Sequence, residues 1–247
     1  MTKEEENQSK PLIIGIDDAG RGPVLGPMVL AGCLIEKNNE NELKRAGAKD
    51  SKLLSPKQRE EIRQNILKIV KDYKYKIISP VEIDTGMGEG LNLNQVEALA
   101  SASIINEIAE KLSDEQKENL KIILDCPSIN TAGWKNQLMD YVKDKTLEPK
   151  IICEHKADFN YVVVSAASII AKTTRDGEIE KMKKEIGIDF GSGYPADPFT
   201  KEALIKHKDI LLKHRFIRES WATWKVIAGK RNNPGESKKG KQTRLFE

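Results

Sequence analysis

Short apolar runs alternate along this chain with longer segments in which apolar residues recur every three or four positions. The largely apolar run Pro11–Asp17 predicts a buried strand, and Val24–Glu36 predicts a second strand after a glycine-rich turn. Further short apolar runs predict strands over Lys74–Ser79, Leu120–Asp125 and Lys150–Glu154.

The intervening segments are typical of helices. Ser55 followed by Pro56 indicates a helix start, because a serine side chain can cap a helix and proline suits the first helical position. Apolar residues at three-to-four spacing follow, as in an amphipathic helix. Other helices are predicted over Leu93–Leu112, Trp134–Lys143 and Val162–Ile186, a basic helical segment over Pro198–Trp224, and a flexible loop over Gly86–Gly90.

This alternation of strands and helices predicts an α/β fold, with several parallel strands after an antiparallel opening and helices flanking a mixed sheet. A disordered lead-in is expected over residues 1–10 and a catalytic core over 11–190. A basic helical appendage is expected over 191–228 and a flexible basic tail over 229–247.

Composition narrows the class of protein. The chain has 247 residues, of which 38% are hydrophobic and 32% charged, as expected for a soluble globular protein. No apolar run approaches the roughly 20 residues that span a bilayer. The acidic start, MTKEEENQSK, is unlike a secretory signal, which predicts a cytoplasmic protein. Three scattered cysteines predict reduced thiols.

Charge is unevenly distributed. The net charge is +3, yet residues 201–247 contain 13 Lys and Arg against 5 Asp and Glu. A basic end on a faintly acidic body suggests a polyanionic partner. On charge alone, a solvated lysine-rich helix with a soluble tail explains the pattern equally well.

Carboxylates stand where the predicted strands end. Asp17 and Asp125 close two apolar runs, Asp158 follows a third, and Asp18 is adjacent to Asp17. Ligands bind at the C-terminal ends of strands in open α/β sheets, so these groups can converge on one pocket. Clustered carboxylates repel one another unless a cation lies among them. Oxygen ligands without His or Cys suit Mg²⁺ or Mn²⁺.

Each carboxylate also has a simpler explanation. An aspartate at a strand end is commonly a turn former or a helix cap. Neighbours such as Asp17 and Asp18 point to opposite faces of a regular strand, so a shared pocket requires a twist at the strand end.

Five motifs in order give the chain a resemblance to the type 2 ribonuclease H family, particularly its archaeal and eukaryotic-catalytic-subunit branch. The motifs are GIDDAGRGPVLGPMVLAG, DSKLLS, LDCPSIN, KADFNYVVVSAASIIAK and GSGYPADP, within roughly residues 11–224. The resemblance implies a ribonuclease H-like core with a helical C-terminal appendage. It also implies hydrolysis of the RNA strand of RNA–DNA hybrids and cleavage 5′ of ribonucleotides embedded in duplex DNA, leaving 3′-hydroxyl and 5′-phosphate ends.

The resemblance assigns roles to individual residues. Two Mg²⁺ or Mn²⁺ ions would be held by Asp17, Asp18, Asp125 and Asp158. The turn Gly20-Arg21-Gly22 would read the ribose 2′-hydroxyl through its backbone, and Tyr194 would stack on the next sugar. Arg21 and Lys52 would contact phosphate.

One residue departs from the family pattern. The family has Asp-Glu where this chain has Asp17-Asp18. Aspartate is one methylene shorter, and Mg²⁺ tolerates imperfect geometry poorly. The sequence therefore predicts an active enzyme with lowered Mg²⁺ efficiency and a relative preference for Mn²⁺.

The last residues, QTRLFE, resemble a shortened sliding-clamp-binding peptide, with Gln242, Leu245 and Phe246 as the contact residues. The alternative is a frayed terminus carrying two stray apolar residues. Every motif lies in one chain, which suggests a monomer.

Two other classes of function remain open from the sequence. A dinucleotide-binding oxidoreductase is suggested by GRGPVLG, although the spacing misses GxGxxG and a strand-like run follows. A hybrid-binding module without catalysis would result if Asp18 breaks the metal site.

Overall fold

Five strands form one sheet, in the order β3-β2-β1-β4-β5, in this computed structural model. The structure describes residues 10–48 and 55–229. The strands are Leu12–Ala19 (β1), Met28–Glu36 (β2), Asp72–Ile78 (β3), Leu120–Asp125 (β4) and Ile151–Glu154 (β5). β4 is parallel to both β1 and β5, with Leu12 opposite Leu120 and Ile122 opposite Ile151. The C-terminal ends of these three strands therefore meet at one edge of the sheet.

The helices of the described residues lie between and after the strands. They are Glu40–Arg45 (α1), Pro56–Ile69 (α2), Pro80–Gly88 (α3), Leu93–Ala109 (α4), Asp114–Glu118 (α5), Thr131–Tyr141 (α6), Ala157–Asn160 (α7), Val162–Ile186 (α8), Pro198–Lys206 (α9), Lys208–Lys213 (α10) and Ala222–Ile227 (α11). None of them is long and apolar enough to cross a membrane.

The predicted α/β class with a mixed sheet and flanking helices is confirmed. The bounds predicted for the strand Leu120–Asp125 and the helix Val162–Ile186 match the structure. The predicted helix start is also confirmed, because the Ser55 side chain accepts a hydrogen bond from the Gln58 N–H and Pro56 is the first helical residue.

One predicted element was wrong. Helix α3 occupies most of the loop predicted over Gly86–Gly90, because a capping box between Ser79 and Glu82 starts a helix that runs through the buried Gly86. The segment predicted to be helical over Pro198–Trp224 contains α9, α10 and the start of α11.

Two compact units divide the described residues. The first contains residues up to Asp18 together with Leu30–Lys76 and Glu97–Thr173. The second contains Ala19–Val29, Ile77–Val96 and the described residues from Thr174 onward. The second unit has its own apolar core, in which Leu25, Phe190, Leu204 and Trp224 are buried.

In the first unit, strand β1 comes close to the start of helix α8 at Gly15, which has no side chain. A Cβ atom built on Gly15 would lie 2.5 Å from the Val163 carbonyl carbon and 2.6 Å from the Val164 nitrogen. Only glycine fits at such a separation of two backbones.

Candidate active site

A small acidic cleft lies in the first unit. Asp17 lies near the C-terminal end of β1 and is 7% exposed, and Asp125 is the last residue of β4. The cleft encloses about 10 Å³, close to the volume that one water molecule needs. Its lining residues are Ile16, Asp17, Asp18, Leu30, Glu97, Ser101, Asp125, Pro127 and Trp134. The structure thus brings three of the four predicted carboxylates to one cleft.

The fourth predicted carboxylate, Asp158, is near Asp125 but does not line the cleft. It belongs to the short helix α7, which follows β5. The preceding residue, Ala157, donates its backbone N–H to Asp125 Oδ1 at 2.9 Å. This bond fixes the orientation of the Asp125 carboxylate from the side of β5.

Burial and mutual repulsion disfavour the charged forms of these acids. Burial, followed by the charges of Asp18 and Asp125, raises the pKa of Asp17 to about 8. Two hydrogen bonds to the Asp17 carboxylate oppose this rise in pKa. One is made with the Ser168 side chain, and the other is donated by the Asp18 N–H to Oδ1 at 2.8 Å. Burial also raises the pKa of Asp125, and the charge of Asp158 adds to the effect. The cleft is therefore an environment in which a cation would be stabilising.

The donor set suits a hard divalent cation, since it consists of carboxylate oxygens. The residues therefore fit Mg²⁺ or Mn²⁺ by their oxygen ligands and by their raised pKa values. Among residues 10–48 and 55–229, however, no three His, Cys, Asp or Glu side chains are already placed to hold a metal ion together.

A fifth carboxylate, Glu97, was missed by the sequence analysis. It lies in helix α4, is 2% exposed and lines the same cleft. Helical periodicity could have revealed it, because Glu97, Ser101, Ile104 and Ile108 recur at three-to-four spacing on the buried stripe of α4. A glutamate on an otherwise apolar or small-residue stripe is a signal that strand ends alone do not provide.

The predicted ribose-reading turn belongs to the second unit. Gly20 has φ of 84°, a backbone conformation that favours glycine. Gly22 is exposed, and a Cβ built there would lie 3.5 Å from the Tyr194 ring. The structure therefore places the Tyr194 ring next to the turn. The Arg21 guanidinium donates to Asn94 Oδ1 at 2.6 Å, so this side chain, predicted to contact phosphate, has a protein partner.

A buried arginine, Arg175, supports Tyr194 and the backbone around it. Its guanidinium carbon lies 5.5 Å from the centroid of the Tyr194 ring. It donates to the carbonyl oxygens of Pro27 at 3.1 Å and Ser192 at 3.1 Å. Sequence inspection could not single out this residue, because its acceptors are backbone carbonyls far along the chain.

Some predicted contacts lie outside the described residues. They are Lys52 and the three tail residues Gln242, Leu245 and Phe246.

Comparison with known proteins gives one consistent result. The family model described as ribonuclease HII matches residues 14–224. A curated relative, ribonuclease HII of Methanococcus maripaludis strain C5, is 43% identical over 229 residues, which is 92% of this chain and 91% of the relative.

Solved structures agree with the sequence relatives. Ribonuclease H2 from Pyrococcus horikoshii OT3 superposes with a TM-score of 0.74 at 36% identity, covering 89% of this chain and 98% of that one. Ribonuclease HII from Archaeoglobus fulgidus, solved in complex with PCNA, superposes with a TM-score of 0.70 at 34% identity, covering 85% and 95%.

Proposed function

This chain belongs to the ribonuclease HII family of hydrolases, which cleave the RNA of RNA–DNA hybrids, and on that premise we propose that it also cuts 5′ of single ribonucleotides embedded in duplex DNA. The products would carry 3′-hydroxyl and 5′-phosphate ends. The observation that carries this proposal is the buried cleft in which Asp17, Asp18 and Asp125 meet at the edge of the sheet. An oxidoreductase is excluded by the family.

The family is metal dependent, and we propose that Asp17, Asp18, Asp125 and Asp158 hold two Mg²⁺ or Mn²⁺ ions. When bound, such ions stabilise charge on the attacking and leaving oxygens of a phosphodiester. The chain's own contribution is orientation. Ser168 and the Asp18 N–H hold the Asp17 carboxylate, and the Ala157 N–H holds that of Asp125.

In the second unit, the turn Gly20-Arg21-Gly22 is proposed to contact the ribose 2′-hydroxyl through its backbone, with Tyr194 against the neighbouring sugar. The support is that Gly22 is exposed and lies next to the Tyr194 ring. Backbone groups can approach a sugar closely where no Cβ intervenes, and the 2′-hydroxyl is what separates RNA from DNA.

The test of this function compares three substrates. They are an RNA–DNA hybrid, a DNA duplex with one embedded ribonucleotide and the same duplex made entirely of DNA, each with Mg²⁺, Mn²⁺ or EDTA. We expect metal-dependent cleavage of the first two and none of the third. Sealing of the cleaved strand by a DNA ligase would identify the 3′-hydroxyl and 5′-phosphate ends. Cleavage of the hybrid alone would contradict the proposal for embedded ribonucleotides.

Lengthening Asp18 is expected to change metal preference. We expect Asp18→Glu to raise the ratio of Mg²⁺-supported to Mn²⁺-supported cleavage by about tenfold, because the added methylene extends the carboxylate's reach and Mg²⁺ is the less tolerant ion. The effect is measured by titrating each metal and following both the cleavage rate and the rise in melting temperature. If neither the ratio of the two cleavage rates nor the ratio of the two rises in melting temperature changes, the role given to the shorter side chain is refuted.

We also propose that the C-terminal tail binds a sliding clamp through Gln242, Leu245 and Phe246. The support is the motif in the sequence together with the PCNA complex of the A. fulgidus relative. Binding of a purified clamp to the intact chain, compared with a chain that lacks residues 240–247, tests this proposal.

A further inference from the structure

The largest fully buried side chains of the described residues include an arginine, Arg218, which is 0% exposed. Burial of a guanidinium is costly unless its N–H groups find acceptors. Arg218 donates from Nη2 to the Gly20 carbonyl at 2.6 Å and from Nη1 to the Arg21 carbonyl at 3.0 Å. It also donates from Nε to the Gly26 carbonyl at 2.9 Å. A buried charge is thus bound to the backbone of the turn.

Trp221 completes this set of contacts. Its ring lies under the guanidinium, with the Arg218 guanidinium carbon 4.8 Å from the ring centroid. Its Nε1–H donates to the Gly22 carbonyl at 3.2 Å. Three consecutive carbonyls of the turn therefore accept hydrogen bonds from two side chains that are three positions apart.

The segment that carries these side chains is itself fixed. The Arg218 N–H donates to the Val24 carbonyl at 2.9 Å. The Asp84 carboxylate accepts from the backbone N–H of Glu219 at 2.6 Å and of Ser220 at 3.0 Å. The segment that carries the donors is therefore held by the Val24 carbonyl and the Asp84 carboxylate as well as by the donors' own bonds to the turn.

Peptide geometry turns this arrangement into a constraint on the other face of the turn. In a trans peptide the carbonyl of one residue and the N–H of the next point in opposite directions. Holding the carbonyls of Gly20 and Arg21 therefore sets the directions of the N–H groups of Arg21 and Gly22. The Gly20 N–H belongs to the preceding peptide, and the Gly22 carbonyl is followed by Pro23, which has no N–H, so the donors that these contacts orient are those of Arg21 and Gly22.

We propose that Arg218 is a positioning residue that sets the preference for ribonucleotide over deoxyribonucleotide by fixing the N–H groups of Arg21 and Gly22, and that Trp221 supports it by stacking its ring on the guanidinium. The inference rests on the proposed function of that turn. Neither side chain needs to touch substrate. Loss of either one would leave the turn's residues in place but its donors less well oriented.

The decisive variant is Trp221→Leu, because leucine removes the aromatic ring that stacks on Arg218. Trp221→Phe keeps an aromatic ring against Arg218 and removes only the Nε1–H bond to Gly22, so it is the ring-retaining control. A further variant, Arg218→Lys, keeps the positive charge and cannot reach all three carbonyls. We expect KM for a duplex with one ribonucleotide to rise about fivefold in Trp221→Leu, to rise more in Arg218→Lys and to stay nearly unchanged in Trp221→Phe. The inhibition constant of the all-DNA duplex, used as a competitor, should stay unchanged, as should the rise in melting temperature on adding Mn²⁺.

Trp224→Phe is a second control, since it replaces another tryptophan three residues on. Trp224 is buried in the apolar core of the second unit, and its Nε1 has no hydrogen-bond acceptor among the described residues. This variant should lower the melting temperature and leave the ribonucleotide preference intact. If Trp221→Leu keeps the full preference, the positioning role is overturned, even where Arg218→Lys fails to fold. If the unmodified chain shows no preference, the proposed ribose reading fails as well.

Discussion

Replacing Asp125 with asparagine is expected to lower the rate of hybrid cleavage by about 10³-fold or more. The substitution keeps the shape of the side chain and an oxygen that can accept the Ala157 N–H bond. It removes one negative charge from the cleft. Metal ions contribute several kcal/mol to phosphodiester hydrolysis, and each 1.4 kcal/mol is about tenfold in rate, so weakened metal binding has a large effect.

The measurement is single-turnover cleavage of a hybrid in saturating Mg²⁺ or Mn²⁺, with the melting temperature as a check on folding. Asp140→Asn is the matched control, because Asp140 is an exposed residue of helix α6 and the substitution removes the same charge. The control should cleave at the unmodified rate. An Asp125→Asn variant that retains more than about a tenth of that rate would be incompatible with the proposed role of Asp125.

The metal-free chain is expected to lose stability as pH rises from about 4 to about 8. Asp17 has an ordinary pKa of 3.8 when unfolded and a pKa of about 8 when folded. Below pH 4 the carboxyl is protonated in both states, so it has no effect on the free energy of unfolding. Between these values the unfolded state ionises while the folded state stays protonated, which favours unfolding. Above pH 8 the full penalty is present, about 6 kcal/mol at most.

Asp17→Asn should remove most of this pH dependence. At pH 8 in EDTA, we expect the variant to melt roughly 5–10 °C above the unmodified chain, and at pH 4 the two should melt together. Adding Mg²⁺ at pH 8 should raise the melting temperature of the unmodified chain more than that of the variant, because a cation stabilises the ionised carboxylate. Melting curves of the two chains that stay parallel from pH 4 to pH 8 would rule out this account.

Local signals were enough to place two of the carboxylates at strand ends. Asp17 and Asp125 could be placed at strand ends because an apolar run followed by an acid is visible in any short window. The parallel pairing of β1, β4 and β5 then brings those ends to one edge of the sheet. Glu97 was not predicted because it lies in a helix, whereas the predicted carboxylates were those at strand ends. Its position on the buried stripe of α4 can be recognised from helical periodicity.

Contacts made far along the chain could not be predicted. Arg218 binds the carbonyl of Arg21, and the two residues are 197 positions apart. Backbone carbonyls are present at every residue, so a side chain that binds them leaves no matching partner in the sequence. The compact units present the same difficulty, since each is assembled from separated segments of the chain.

The missing side chain at Gly15 sets the depth at which Asp17 lies. Side chains two residues apart share one face of a strand, and those four apart share one face of a helix. Gly15 of β1 is in contact with Val163 and Val164 of α8. Asp17 lies two residues after Gly15, and Ser168 lies four residues after Val164. The Asp17 carboxylate bonds the Ser168 hydroxyl. A methyl group at residue 15 would force the strand and the helix apart and pull the carboxylate away from the hydroxyl. The absence of a side chain at Gly15 thus keeps β1 close enough to α8 for Asp17 to bond Ser168, and that bond lowers the pKa of Asp17.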